Sequence, residues 1–161
     1  MKLTLTIFLS FLNFVCQDLS SVREQYTEAT KSQKNAEDFY NLVANVSKDN
    51  KVMQAYKGAA MALKAKFAKD RKTKKTLFIE GAKIIENAVK SEPSNVEIRL
   101  IRLSIQENTP KILNYKSNIA EDKKLILTNF GKQNQSLKDH IASFVKQSNV
   151  FSEIEKKSIL N

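Results

Sequence analysis

Residues 96–106, VEIRLIRLSIQ, carry apolar side chains on two opposite sides of one helix. At 100° per residue these residues form two groups about 140–200° apart: Val96, Leu100 and Leu103 on one side, Ile98, Ile101 and Ile105 on the other. A strand would need a change of phase in the middle of the segment, and the sequence offers no partner strand. A helix on a protein surface has one apolar side, so this pattern predicts a helix buried between two layers.

Polar residues fill the two gaps between these apolar sides. Glu97 and Ser104 occupy one narrow gap, and Arg99, Arg102 and Gln106 occupy the other. A helix with neighbours on both sides is typical of stacked helical hairpins, where each hairpin covers the next. The sequence therefore predicts an all-α fold with stacked helical hairpins.

Turn-forming residues are scarce, since only three Gly and two Pro occur among 161 residues. This scarcity favours long helices joined by short connections, in a single domain with a substantial core. About seven helices are predicted, at 19–47, 51–68, 74–91, 96–106, 118–131, around 137–145 and from Ser152 onward. The small residues Gly58, Ala59 and Ala60 predict that another helix approaches the second one closely.

The segment GAKIIENAVKSEPSNVEIRL (81–100) resembles the junction between two tetratricopeptide repeats. The resemblance rests on Ala88 and Pro93 at the end of one helix and on the large apolar residues of the next. Arg102 departs from the pattern, which has a small residue there, and the connection FAKDRKTKKT is too long for a regular repeat. What the resemblance implies is a tetratricopeptide-like stack of helical hairpins.

The N-terminus has the pattern of an export signal. A charged MK is followed by the largely apolar run LTLTIFLSFLNFV, which is long enough for secretion but short for a membrane span. We interpret 1–16 as an export signal peptide and 17–161 as a single helical domain. Two alternatives stay open: lipidation of Cys16, the single cysteine, and retention of the segment as an uncleaved anchor.

A second resemblance extends over more of the chain. The export signal ending near QDL, the run NVEIRLIRLSIQENTP and the segment LNYKSNIAEDK resemble a group of exported, all-helical bacterial proteins of unknown function. This resemblance implies a helical domain in the periplasm or envelope of a Gram-negative bacterium, and it implies no activity.

A basic segment lies between the second and third predicted helices. The chain has a net charge of +10, and seven cations are concentrated here, namely Lys64, Lys66, Lys69, Arg71, Lys72, Lys74 and Lys75. Such a surface could bind an anionic lipid or polysaccharide. The alternative is a solvated helix end and loop, where cations suit the negative end of the helix dipole. Nucleic acid is a weaker candidate, because Phe67 is the one aromatic residue in the segment.

Arg99 and Arg102 form a second candidate site. In a stack of hairpins their gap could face a groove, where arginine side chains bind carboxylates of a protein or peptide partner. The alternative is an internal ion pair, with Glu97 of a neighbouring chain or with Glu121 or Asp122. Both alternatives follow from the sequence alone.

The segment 107–118, around Pro110, is polar and predicted to be a loop. Asn108 and Tyr115 within it are candidate partner-binding residues, because binding residues are common on loops. Turn formation alone would also explain this composition.

Motifs of known catalytic or metal sites are missing from the sequence. His140 is the single histidine, and no HExxH, CxxC, GxGxxG, P-loop or GxSxG spacing occurs. We therefore expect no enzyme, no metal and no cofactor. The sequence favours a non-enzymatic envelope scaffold that binds a protein or peptide partner. The alternative is a basic protein adsorbed on anionic lipid or polysaccharide.

Overall fold

The computed structural model describes residues 18–161, which are all-helical. They form eight α-helices: α1 (Leu19–Ala29), α2 (Gln33–Val43), α3 (Lys51–Phe67), α4 (Arg71–Ser91), α5 (Val96–Asn108), α6 (Ile119–Asn129), α7 (Gln135–Gln147) and α8 (Glu153–Leu160). Single 3₁₀ turns follow α5 and α6, at Lys111–Leu113 and Phe130–Lys132. The predicted signal segment 1–16 lies outside the described residues. Along 18–161, no helix combines the length and apolarity that crossing a membrane requires.

The first predicted helix, 19–47, is two helices, so that prediction was wrong. Helix α1 ends at Ala29, and the Ser32 side chain accepts a hydrogen bond from the Asn35 backbone N–H to begin α2. Serine favours this capping position because its hydroxyl replaces a missing helical acceptor. The turn lets the Tyr26 and Phe39 rings pack with centroids 5.6 Å apart.

Helices α3 and α4 form a tight hairpin. Asp70 caps α4, with its carboxylate accepting from the Thr73 backbone N–H at 2.8 Å, so the helix begins at Arg71 and not near 74. The connection is therefore residues 68–70, and the long connection expected from the sequence was wrong. Most of the basic segment is helical.

The two helices cross at a pair of glycines. A Cβ added to Gly58 would lie 2.5 Å from the Gly81 carbonyl oxygen, and one added to Gly81 would lie 2.5 Å from the Gly58 oxygen. Only hydrogen at these positions lets the two backbones touch. The close approach predicted around Gly58 is confirmed.

Helix α5 lies between two apolar cores, as its two-sided pattern predicts. Ile98, Ile101 and Ile105 belong to the core that α5 shares with α1–α4. The opposite side contributes to the core formed with α6, α7 and α8, through Val96, Leu100 and Leu103. The layered all-α architecture is confirmed, and the specific tetratricopeptide-like stacking stays a prediction.

Gln106 is the exception among the polar residues of α5. Its side chain is 0% exposed, and neither amide atom has a hydrogen-bond partner in the described part of the chain. A buried amide without partners loses its hydrogen bonds to water and gains none in return.

Replacing Gln106 by Met, which has nearly the same shape, should therefore increase the free energy of unfolding by about 1–2 kcal/mol. Urea denaturation measures the change. Gln33→Met, at an exposed position of α2, is the control and should stay within about 0.5 kcal/mol of the parent. A loss of stability in Gln106→Met would mean that the amide is hydrogen-bonded in solution.

Candidate binding cleft

The guanidinium groups of Arg99 and Arg102 converge on Asp122 of α6. Arg102 Nε and Nη2 donate to the two Asp122 oxygens at 2.8 and 2.6 Å, and Arg99 Nη1 donates to Oδ1 at 2.8 Å. Arg99 also binds Glu121 at 2.8 Å, and Arg102 binds Glu86 of α4 at 2.9 Å. Burial alone would lower the pKa of Arg102, but the hydrogen bond to Asp122 and the charges of Asp122 and Glu86 raise it.

This hydrogen-bond network decides between the two alternatives for Arg99 and Arg102. Arg99, Arg102 and Asp122 are buried. The two arginines therefore form internal ion pairs with Glu121 and Asp122, which was one of the two alternatives, and they do not face a groove. They join α5 to α6 and α4. We do not propose them as partner-binding residues.

A second buried network includes Glu97, which pairs with Arg23 of the same chain and not with Arg99 or Arg102 of a neighbouring chain. Arg23 of α1 donates to both Glu97 oxygens, from Nε at 2.8 Å and from Nη2 at 2.7 Å. Tyr56 of α3 donates to the same carboxylate at 2.8 Å, and Arg23 also donates to Ser136 of α7. The polar gap of α5 that holds Glu97 thus joins helices α1, α3 and α7.

Tyr115 lies against α4 and not in an open loop. Its hydroxyl donates to Glu86 at 2.7 Å, and its ring packs edge-on against Phe78 with centroids 5.6 Å apart. Burial, with the nearby Glu86 carboxylate, raises the pKa of Tyr115. Its role is to hold the 109–115 loop against α4.

The seven basic residues divide into two groups. Lys64 and Lys66 are in the last turn of α3, where Lys64 pairs with Glu37 at 3.0 Å and Lys66 donates to the Thr30 carbonyl at 3.2 Å. The other five are exposed around the start of α4 and have no ion pair within residues 18–161: Lys69, Arg71, Lys72, Lys74 and Lys75. We call these five residues the basic corner.

The basic corner lies at the positive end of the α4 dipole. Cations at a helix N-terminus are repelled by it, whereas the sequence-based alternative placed them at a C-terminus, where they would be attracted. The C-terminal position is right for Lys64 and Lys66 and wrong for the basic corner, although the corner residues are exposed to solvent as that alternative expects. Asp70 is the one acid there, and its hydrogen bond to Thr73 lowers its pKa.

A cleft of about 590 Å³ opens between the two cores. It is bounded by α1, α3, the start of α4, the end of α5 and α7, and the loop after α5 forms part of its rim. Its apolar surface includes Leu63, Phe78, Leu100, Ile105, Leu113 and Phe144. Asn108, a predicted partner-binding residue, lies at this rim.

Polar groups in the cleft wall mostly bond to the protein itself. Ser104 Oγ donates to the Ile101 carbonyl at 2.8 Å, so the Tyr26 hydroxyl donates to Ser104. Asn108 donates to the Ser104 carbonyl, and Thr109 to the Ile105 carbonyl. Burial raises the pKa of Tyr26 to about 12. The hydroxyl groups of Tyr26, Ser104 and Thr109 are therefore already hydrogen-bonded within the chain.

His140 of α7 also lines the cleft, with its ring centroid 6.5 Å from that of Tyr26. Burial lowers the pKa of His140 to about 4, a net value in which the Glu97 carboxylate acts to raise the pKa and the positive charge of Arg23 acts to lower it. The imidazole is therefore neutral at physiological pH.

Stability should fall as the pH falls from 7 to 5, because the unfolded chain binds a proton at His140 near pH 6.5 and the folded chain binds it only near pH 4. This difference removes about 2 kcal/mol of unfolding free energy over that range. Urea denaturation at both pH values of the parent and of His140→Gln checks it, since the variant should lose about 2 kcal/mol less. Equal losses would show that His140 titrates normally in the folded chain.

Within residues 18–161, no group of three or more His, Cys, Asp or Glu side chains could hold a metal ion. No protein-family model matches the chain, and no match was found among curated proteins or solved structures. Any functional assignment therefore depends on the cleft, the basic corner and the sequence patterns.

Proposed function

We propose that the chain is a non-enzymatic helical binding protein that holds the apolar part of a partner in the cleft. The observation that carries the proposal is a space of about 590 Å³ with mainly apolar walls between two packed cores. Ligand sites of proteins have this size and this mixture of apolar surface with few polar groups. The partner's apolar part can be the anchoring side chains of a protein or peptide, as predicted from the sequence, or an alkyl chain.

The chemistry of the wall supports binding in preference to catalysis. Glu107 is the one carboxylate in the wall, and it accepts hydrogen bonds from the Ser148 hydroxyl at 2.8 Å and from the Asn149 backbone N–H at 2.6 Å. His140 is neutral, and the Tyr26 hydroxyl donates to Ser104. The Ser148 hydroxyl that donates to Glu107 is buried, and this bond joins residues 148–149 to the end of α5, so these groups serve the folded structure.

The proposed location is the periplasm or envelope of a Gram-negative bacterium. It depends on the export-signal pattern of 1–16 and on the resemblance to exported helical proteins. Cleavage after Cys16 would release the helical domain that contains the cleft, and lipidation of Cys16 would attach the domain to a membrane.

A second candidate function is adsorption on anionic lipid or polysaccharide through the basic corner. Five exposed cations without acidic partners, placed where the α4 dipole repels them, favour it. Adsorption by exposed charges should disappear between low and moderate salt, because the Debye length falls to about 10 Å at 0.1 M. Binding in the apolar cleft should persist.

Ser143→Trp tests the proposed function, because Ser143 is exposed on α7 and lines the cleft. An indole that displaces two methylene groups of an alkyl ligand should weaken binding by about tenfold, at about 0.8 kcal/mol per group. Calorimetric titration with decanol, a neutral probe, measures the effect. Thr128→Trp, exposed on α6 outside the cleft, is the control and should bind decanol like the parent.

Amide NMR shifts locate the bound decanol. Shifts confined to cleft residues, together with weaker binding in Ser143→Trp alone, would support the proposal. Decanol that does not bind to the parent, or that binds equally to both tryptophan variants, would overturn it.

A further inference from the structure

Two lysines stand at the mouth of the cleft. Lys66 at the end of α3 and Lys74 at the start of α4 both line it, next to Phe78. The Lys66 ammonium donates to the neutral Thr30 carbonyl, so its charge is not compensated by that bond. Lys74 has no ion pair in the described chain. The Lys66 ammonium also lies 5.2 Å from the centroid of the Phe67 ring, which is uncharged. Within residues 18–161 the cleft therefore has two positive charges without an ion-pair partner beside its apolar interior.

The surrounding charges increase this positive potential. The other basic-corner residues follow or precede Lys74 closely, and the α4 N-terminus adds the positive end of its dipole. Glu107 opposes them with a negative charge from the α5 wall, and its hydrogen bonds from the Ser148 hydroxyl and the Asn149 backbone N–H hold it toward the residues after α7 without neutralising it. The α3–α4 side of the mouth is thus the side that attracts an anion.

The interior accepts an alkyl group better than a polar one. Leu63, Phe78, Ile105 and Phe144 supply apolar surface, and the Ser104, Asn108 and Thr109 side chains donate hydrogen bonds to backbone carbonyls, while the exposed Ser143 and Asn149 add polar surface. A ligand carrying polar groups along its length would lose its hydrogen bonds to water without replacement. A flexible hydrocarbon loses none.

We propose that the cleft binds a single-chain amphiphile with an anionic head group. Its alkyl chain lies between the two cores, and its head group lies at Lys66 and Lys74. This inference rests on the proposed function and narrows it from any apolar partner to one chemical class. A peptide with apolar anchors is the competing occupant.

Three ten-carbon probes that differ in head-group charge test the inference at concentrations below micelle formation. Decanoate is anionic, decanol neutral and decyltrimethylammonium cationic. Calorimetric titration of the parent at low salt should give a Kd for decanoate about fivefold below that of decanol, as expected for two partly exposed ion pairs. The cation should bind more weakly than decanol.

The double variant Lys66→Gln/Lys74→Gln should bind decanoate and decanol with nearly equal Kd. The control removes two exposed lysines elsewhere, in Lys90→Gln/Lys157→Gln, and changes the net charge by the same amount. It should retain the preference for decanoate. Added salt should reduce the preference in the parent and control alike.

The outcomes separate this inference from the proposed function. Decanol that binds as tightly as decanoate would overturn the anionic head group and leave the apolar cleft in place, so that a peptide anchor becomes the better occupant. If Lys66→Gln/Lys74→Gln still bound decanoate more tightly than decanol, the position assigned to the head group would be overturned. Binding to phosphatidylglycerol vesicles without binding of monomeric decanoate would also overturn it, since the lysines would then contact a membrane surface.

Discussion

Asp122→Ala should lower the free energy of unfolding by about 3–5 kcal/mol, the range for removing one partner of a buried ion pair. The carboxylate is 0% exposed and accepts three hydrogen bonds from Arg99 and Arg102. Alanine leaves two buried guanidinium groups, which Glu121 and Glu86 satisfy only in part. Urea denaturation followed by circular dichroism measures the loss.

The neighbouring residue provides a matched control. Glu121 binds the same Arg99, but its side chain is 57% exposed, so Glu121→Ala should cost less than about 1 kcal/mol. Asp122→Asn keeps an acceptor without the charge and should lie between the two alanine variants. If Asp122→Ala cost no more than Glu121→Ala, the arginines would have other partners in solution.

Gly58→Ala should destabilise the protein by about 2–3 kcal/mol, although alanine is the better helix former by about 1 kcal/mol. The new methyl group would lie 2.5 Å from the Gly81 carbonyl oxygen and 2.8 Å from the Ile85 side chain. The first of these is backbone, so α3 and α4 must separate to accommodate it. Thermal and urea unfolding measure the change.

Gly131→Ala is the control for this substitution. A Cβ at Gly131 meets nothing within 4 Å, and its φ is not positive, so the variant should be neutral or gain up to about 1 kcal/mol. Similar stabilities of the two alanine variants would show that α3 and α4 are further apart in solution than in the structure.

The sequence predicts what depends on short stretches of chain. The two sides of α5 were assigned correctly because each is set by the spacing of apolar residues within 11 positions of one helix. The α1–α2 break was missed because the apolar residues of both helices follow one periodicity, and the cap at Ser32 depends on a single hydroxyl. The start of α4 was missed for a similar reason, because its cap depends on the single carboxylate of Asp70.

Most of the candidate site could not be predicted from the sequence. Five helices contribute to the cleft, and no local pattern shows that Leu63, Ile105 and Phe144 face the same space. Arg99 and Arg102 were noticed, but whether they meet a groove or Asp122 depends on where α6 packs, 20 residues further along the chain. The partner of Glu97 could not be predicted for the same reason, because Arg23 is separated from it by 74 positions.

The position of α5 between two cores has a consequence for how the protein unfolds. Neither half can open alone without exposing one apolar side of α5. Separation of α1–α4 from α5 would also break the Arg23–Glu97 pair, and separation of α6–α8 would break the pairs of Arg99 and Arg102 with Asp122. The halves should therefore lose structure in one cooperative transition, and the slowest-exchanging amides should be those of α5. A ligand in the cleft touches Ile105 of one core and Leu100 of the other, so its binding energy would stabilise both halves as one unit.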